Sequence, residues 1–155
     1  MSGRIAARLQ ELGIELAEPP APVAAYVPFV ITGNLIYVSG QVSAVPSGVR
    51  YAGKVGLDLT VEQGHQAARL CGLNILAQLK AATGGDLDRI ERIVKLAGFV
   101  NCADGFTQQP QVINGASELM VDVFGDAGRH ARAALGANAL PLGMAVEVDA
   151  VAAFK

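Results

Sequence analysis

Apolar and polar positions along this chain change period several times, and each change marks an element. In Arg4–Leu12 (RIAARLQEL), Ile5, Leu9 and Leu12 recur at helical spacing and Gly13 follows as a stop, which predicts a short amphipathic helix. Glu15–Pro22 holds Pro19, Pro20 and Pro22, whose fixed φ and missing N–H make it an extended linker. Phe29–Ile31 and Leu35–Val38 are short apolar runs on either side of Gly33-Asn34, the pattern of a β-hairpin. Ser39-Gly40-Gln41 closes the second run, an ending that suits either an ordinary turn or backbone N–H groups facing a ligand. Pro46–Gly56, punctuated by Gly48, Gly53 and Gly56, reads as a loop or a short edge hairpin.

From Val61 to Ala82 the period lengthens, and Gly64, Ala68, Cys71, Ile75 and Leu79 form one stripe of a long helix that Asp58 or Thr60 would cap. Leu87–Ile90 predicts a single helical turn. Glu91–Asn101 (ERIVKLAGFVN) then reads as a strand, with Ile93, Lys95, Ala97 and Phe99 on one face and Val94, Leu96 and Val100 on the other. A second helix, Gln109–Phe124, buries Val112, Ala116, Leu119 and Val123. His130–Leu140 predicts a short strand, Pro141 and Gly143 break it, and Met144–Phe154 continues as a longer, neighbouring arm. In that last strand Val146, Val148 and Ala150 alternate with Glu147 and Asp149, so the two carboxylates share a face.

The order β-β, long α, β, α, β-β, after a short helix, is that of an α+β layered domain with a mixed or antiparallel sheet. Two helices cover only one face of such a sheet. Val38, Phe99, Val146 and Val148 cannot all point toward them. The economical cover for a second apolar face is another copy of the chain, so the pattern itself predicts a homo-oligomer.

Composition narrows the function classes. A length of 155 residues suits one main domain, and a net charge of −2 without a Lys/Arg cluster argues against a nucleic-acid surface. No apolar run reaches the roughly 18 residues of a membrane span, and the first residues lack a signal-peptide core. Cys71 and Cys102 lie in apolar patterns and read as buried free thiols. His65 and His130 have nothing at ligand spacing beside them, and Rossmann, Walker and HExxH signatures are absent. The expectation is a cytoplasmic protein with no metal and no cofactor.

Arg132 is the leading chemical candidate. An arginine in an Ala/Leu/Gly strand needs an anion to offset its lost solvation, and its planar fork suits a carboxylate. Glu147 either supplies that anion as a plain ion pair or handles water and protons while Arg132 grips a substrate. The second role requires burial to lift its pKa from about 4.3. Asp149, on the same face, reads as structural. Tyr26 offers an apolar ring with one hydroxyl for a ligand or an interface. Asn114 and Gly115 are both poor choices for a helix interior, which marks either a bent helix or a side chain kept for binding.

With these residues in view, the sequence resembles the RidA/YjgF/UK114 family of reactive-intermediate deaminases. GNLIYVSGQ at Gly33–Gln41 is similar to that family's early signature, and Arg132, Leu140-Pro141 and Glu147 keep the spacing of its C-terminal one. The resemblance covers about residues 23–154, which divides the chain into an N-terminal helix and linker (1–22) and a RidA-like domain (23–155). It implies a chorismate-mutase-like fold assembled as a homotrimer, with sheets forming an inner barrel and sites in clefts between subunits. The implied reaction is hydrolysis of 2-aminoacrylate-type enamines and imines to 2-keto acids and ammonia. By the same resemblance Arg132 binds the substrate carboxylate, Glu147 positions or activates water, and Tyr26, Ser39 and Asn114 line the site. Ala24 and Ala25 replace a glycine and a proline of the family pattern, and Ala134 replaces a cysteine, changes that bear on substrate range. A trimeric small-carboxylate binder without fast turnover is the runner-up, and an endoribonuclease is a minor alternative that no basic groove supports.

Overall fold

The computed structural model describes residues 3–19, 21 and 24–155; Pro20 and Pro22 of the expected linker lie outside the described residues. In chain order the elements are α1 (Arg4–Glu11), β1 (Phe29–Thr32), β2 (Leu35–Val42), β3 (Ala44–Val45), β4 (Gly48–Val49), α2 (Val61–Ala82), β5 (Ile90–Asn101), α3 (Gln109–Phe124), β6 (Ala131–Ala137) and β7 (Val146–Phe154). Five strands make one mixed sheet in the order β1-β2-β7-β5-β6, while β3 and β4 form the small hairpin foreseen near Pro46. All pairings in the large sheet are antiparallel except β5 with β6.

The two long helices lie on one face of this sheet. Ile36 and Val38 of β2, Ile93, Leu96 and Val100 of β5, and Val146, Val148, Ala150 and Ala152 of β7 are all buried in a single core with the stripes of α2 and α3. Each fully buried Val, Leu or Ile side chain there contributes about 1.5–3 kcal/mol, and each alanine less, which fixes the layer geometry. Of the two candidate caps for α2, Thr60 is the one used. Its Oγ1 accepts from Gln63 N at 3.1 Å and Gln63 Oε1 accepts from Thr60 N at 2.9 Å, whereas Asp58 instead accepts from Lys54 N. α1 docks through buried Ile5, and the Asp88 carboxylate accepts from the backbone N–H groups of Arg4 and Ile5 at 2.7 and 2.9 Å.

Three expectations need correction. The strands on either side of Pro141 are not neighbours: β7 pairs with β2 and β5, and β6 sits beyond β5 at the sheet edge. Pro141–Gly143 is a single 3-10 turn in a connection that crosses over β5, so sequence proximity did not translate into pairing. Simple alternation also fails in β5, where a register shift between Ile93 and Lys95 puts Ile93 and Leu96 on the same buried side. Cys102 is only half-buried, while Cys71 is fully enclosed and burial pushes its thiol pKa up.

On the face away from the helices, register aligns Leu135, Phe99 and Glu147 in one row, Ala133, Ala97 and Asp149 in the next, and Lys95, Val151 and Tyr37 in a third. Tyr37 and Leu135 are 47% and 54% exposed there. Of the four residues that suggested a second apolar face, Val38, Val146 and Val148 are buried toward the helices and only Phe99 lies on this one. This face mixes Tyr37, Phe99, Leu135 and Val151 with Lys95, Glu147 and Asp149, and among the described residues no element covers it. Among the described residues no helix is long and apolar enough to cross a membrane.

Candidate functional site

Register decides where Arg132 points. It pairs with Leu96, which pairs in turn with Ala150, and both of these are buried toward the helices. Partners across adjacent strands share a face, so Arg132 rises on the helix side. α3 meets it there. Arg132 Nη1 donates to Asn114 Oδ1 at 2.7 Å and to Ser117 Oγ at 3.2 Å. Both acceptors are neutral, and no carboxylate lies within ion-pair distance of the guanidinium among the described residues. Nε and Nη2 keep the fork geometry that a carboxylate takes with two parallel hydrogen bonds. The half-buried guanidinium borders an open cleft of about 410 Å³, which Ser117, Glu118, Asp122, Arg129 and His130 also line.

His130 precedes Arg132 by two residues at the start of β6. Its Nδ1 lies 2.6 Å from Gly128 O, and its Nε2 lies 2.9 Å from Ser117 Oγ. A carbonyl only accepts, so Nδ1 carries the proton and the neutral ring presents a lone pair at Nε2 to the Ser117 hydroxyl. Burial is the main cause holding the His130 pKa below its ordinary value; the Gly128 hydrogen bond opposes it and the Arg132 charge adds to it. Neither Ser117 nor His130 was singled out from the sequence. The signal was present, however: Asn114 and Ser117 are three apart on a helix, and His130, just before β6, is two residues from Arg132.

Glu147 is elsewhere. It pairs with Phe99 on the face away from the helices, so within one chain it lies on the opposite side of the sheet from Arg132. The plain ion pair between them, left open by the sequence, is absent. Burial, and secondly the Asp149 carboxylate, raise the Glu147 pKa above the usual carboxylate range. Asp149 is raised by burial and lowered by Lys95. Gly40 of β2 leaves room for Glu147, because a Cβ built there would overlap its carboxylate.

Tyr26 and Ser39 line a third location, a cavity of about 500 Å³ between the segment before β1, the end of β2 and α2. Ser39 Oγ donates to Val27 O at 2.7 Å, and the Tyr26 ring is 59% exposed at the mouth. The five expected site residues therefore fall into three groups: Arg132 with Asn114, Tyr26 with Ser39, and Glu147 on the uncovered sheet face next to Gly40.

The sequence profile of the YjgF/chorismate-mutase-like family, described as candidate endoribonucleases, matches residues 6–153. Protein TCP17 of Trypanosoma cruzi is 50% identical over 151 residues, which are 97% of this chain and 94% of that protein. A crystal structure of a protein of unknown function from Agrobacterium tumefaciens is 48% identical, with a TM-score of 0.90 over 97% of this chain and 94% of that one. RidA from an Antarctic Psychrobacter is 27% identical, with a TM-score of 0.62 over 88% of this chain and 94% of that one.

Proposed function

Because the chain belongs to the YjgF/chorismate-mutase-like family and RidA is among its structural neighbours, we propose that it hydrolyses small 2-imino and 2-enamino acids of the 2-aminoacrylate type to 2-keto acids and ammonia. The observation that carries this reading is the Arg132 guanidinium, which borders an open cleft with only neutral protein partners on one nitrogen. A protonated imine carbon is already electrophilic. Fixing its carboxylate on Arg132 and a water within reach supplies most of the orientation the reaction needs.

Glu147 is the proposed water-positioning group, and it reaches this cleft only from another subunit. The uncovered sheet face, with Tyr37, Phe99 and Leu135 beside Glu147, is the proposed contact surface of a homotrimer. One subunit then contributes Arg132 and Asn114 to each site, and its neighbour contributes Glu147, Tyr26 and Ser39.

The test is ammonia and keto-acid release from enzymatically generated 2-aminoacrylate, with saturable acceleration by the protein expected. Subunit mixing tests the shared site. In co-expressed Arg132→Ala and Glu147→Gln chains, about one cleft in four combines two intact contributions, so roughly a quarter of wild-type activity returns although neither variant is active alone. No recovery in mixed trimers contradicts the shared site.

The Glu147 carboxyl also makes a pH prediction. Its raised pKa means the folded chain holds that proton more tightly than the unfolded one. This contribution is complete below the unfolded value, about 4.3, and is lost as pH rises through the higher folded value. Glu147→Gln removes the loss, so thermal melts should show a larger Tm gain for the variant at pH 8 than at pH 4.5. An equal offset at the two pH values contradicts the burial-raised carboxyl.

A second reading, a small-carboxylate binder without fast turnover, is favoured by one observation: Arg132 and its orienting partners lie within a single chain, independent of Glu147. Saturable binding of 2-keto acids without imine hydrolysis selects it.

A further inference from the structure

Imine hydrolysis moves protons twice, and the Arg132 cleft contains a hydrogen-bond chain suited to moving them. Arg132 Nη1 donates to Ser117 Oγ, the Ser117 hydroxyl donates to His130 Nε2, and His130 Nδ1 donates to Gly128 O. Resting on the deaminase reading, we propose that Ser117 and His130 form a proton relay serving the substrate held on Arg132. The Ser117 oxygen is the relay's contact with substrate and the imidazole is its reservoir.

The steps balance. Water attacks the carbon of the protonated imine, a C–O bond forms, the C=N π electrons move to nitrogen, and one water proton passes through the Ser117 hydroxyl to His130 Nε2. The relay then returns that proton to the amine nitrogen of the carbinolamine. The C–N bond breaks, the remaining hydroxyl proton leaves with the departing nitrogen, and the products are the 2-keto acid and ammonium. No oxidant, reductant or further reactant is consumed.

The local charges give the relay its timing. The polar and charged residues that share the cleft with His130 are Ser117, Glu118 and Asp122 from α3, Arg129 from the preceding turn and Arg132 from β6, and Ser117 touches its ring. Asp126 pairs with Arg129 at 3.5 Å, and His65 of α2 lies 3.2 Å from Glu118. Burial, and to a lesser degree the Arg132 charge, hold the His130 pKa below its ordinary value and so favour the neutral ring, the form that accepts a proton. A carboxylate on Arg132 offsets part of that positive charge and makes the ring a stronger base when a substrate has arrived. Binding and proton uptake are therefore coupled, and the coupling is reciprocal.

The experiment uses the full chain and two readouts. Proton NMR of the two histidine rings, titrated with and without saturating 2-oxobutanoate, should show the His130 midpoint moving upward on binding. In parallel, His130→Gln should lower kcat about a hundredfold with KM changed less than about threefold, whereas Ser117→Ala, which also removes a hydrogen bond from Arg132, should lower kcat to a similar extent and raise KM as well. His130→Gln tests the relay directly, because its amide can still accept from Ser117 but cannot carry a proton. Wild-type kcat in that variant, or a His130 midpoint indifferent to bound carboxylate, overturns the proposal. The NMR titration stands even if the wild-type protein turns over no imine, a result that instead counts against the deaminase reading.

Discussion

Arg132→Ala is expected to lower kcat/KM for 2-aminoacrylate-type substrates by about a thousandfold, on the order of 4 kcal/mol of lost transition-state binding. The guanidinium's protein partners are the amide oxygen of Asn114 and the hydroxyl of Ser117, so among the described residues no carboxylate answers its positive charge, which the proposed substrate carboxylate would meet. Removing it leaves the substrate carboxylate without its counter-charge, while the fold loses only two half-buried hydrogen bonds that water can replace. Thermal stability should therefore change little, and that separates this variant from one that unfolds. Arg132→Lys should restore the charge without restoring the rate, because an ammonium cannot hold a carboxylate with two parallel bonds while keeping Asn114 and Ser117 as orienting partners. Steady-state kinetics on imine substrates and calorimetric titration with 2-oxobutanoate read both effects. Wild-type turnover in Arg132→Ala removes the basis of the proposed reaction.

Much of the architecture was legible because it rests on local periodicity. The stripe from Gly64 to Leu79 and the alternation from Val146 to Ala150 each specify which face is buried, and the structure buries those faces. Pairing was not legible in the same way. Arg132 and Glu147 look like facing arms of one hairpin when only Pro141 and Gly143 are seen between them, yet β5 is inserted between β6 and β7. The insertion separates the two residues, and the register, which matches Arg132 with Leu96 and Ala150 but Glu147 with Phe99 and Leu135, puts them on opposite faces; neither strand order nor register is encoded in a local pattern. The β5 bulge was hidden for a related reason: an extra residue changes the face of everything beyond it without altering composition. His130 and Ser117 escaped notice because each is ordinary in its own element, and only the contact between α3 and β6 makes them partners.

Gly115 supports a second large effect, this time on the fold. Next to Asn114 in the middle of α3, it is a costly residue for a helix, about 1 kcal/mol worse than alanine, and propensity alone predicts that Gly115→Ala stabilises the protein. The packing predicts the reverse. A Cβ at this position would overlap the carbonyl oxygen of His65 and crowd the backbone nitrogen of Arg69 at 3.0 Å, so α2 and α3 approach as closely as they do only because a hydrogen stands there. The obstacle is helix backbone, which cannot rotate aside as a flexible side chain does. The helices must separate, which disturbs the core shared by Ala68, Val112, Ala116 and Leu119. Overpacking of this kind costs about 1–3 kcal/mol or more, enough to exceed the propensity gain. At about 2–4 °C per kcal/mol for a chain of this size, a net loss of about 1–2 kcal/mol lowers Tm by roughly 2–8 °C. The displacement also reaches the cleft, since Asn114 and Ser117 flank Gly115 and together orient Arg132. Melting curves and imine kinetics on the same sample should show both losses, with the remaining activity limited by a higher KM for the carboxylate. A Gly115→Ala protein that melts at or above the wild-type temperature shows that α3 does not need this close approach, and that helix propensity decides the position instead.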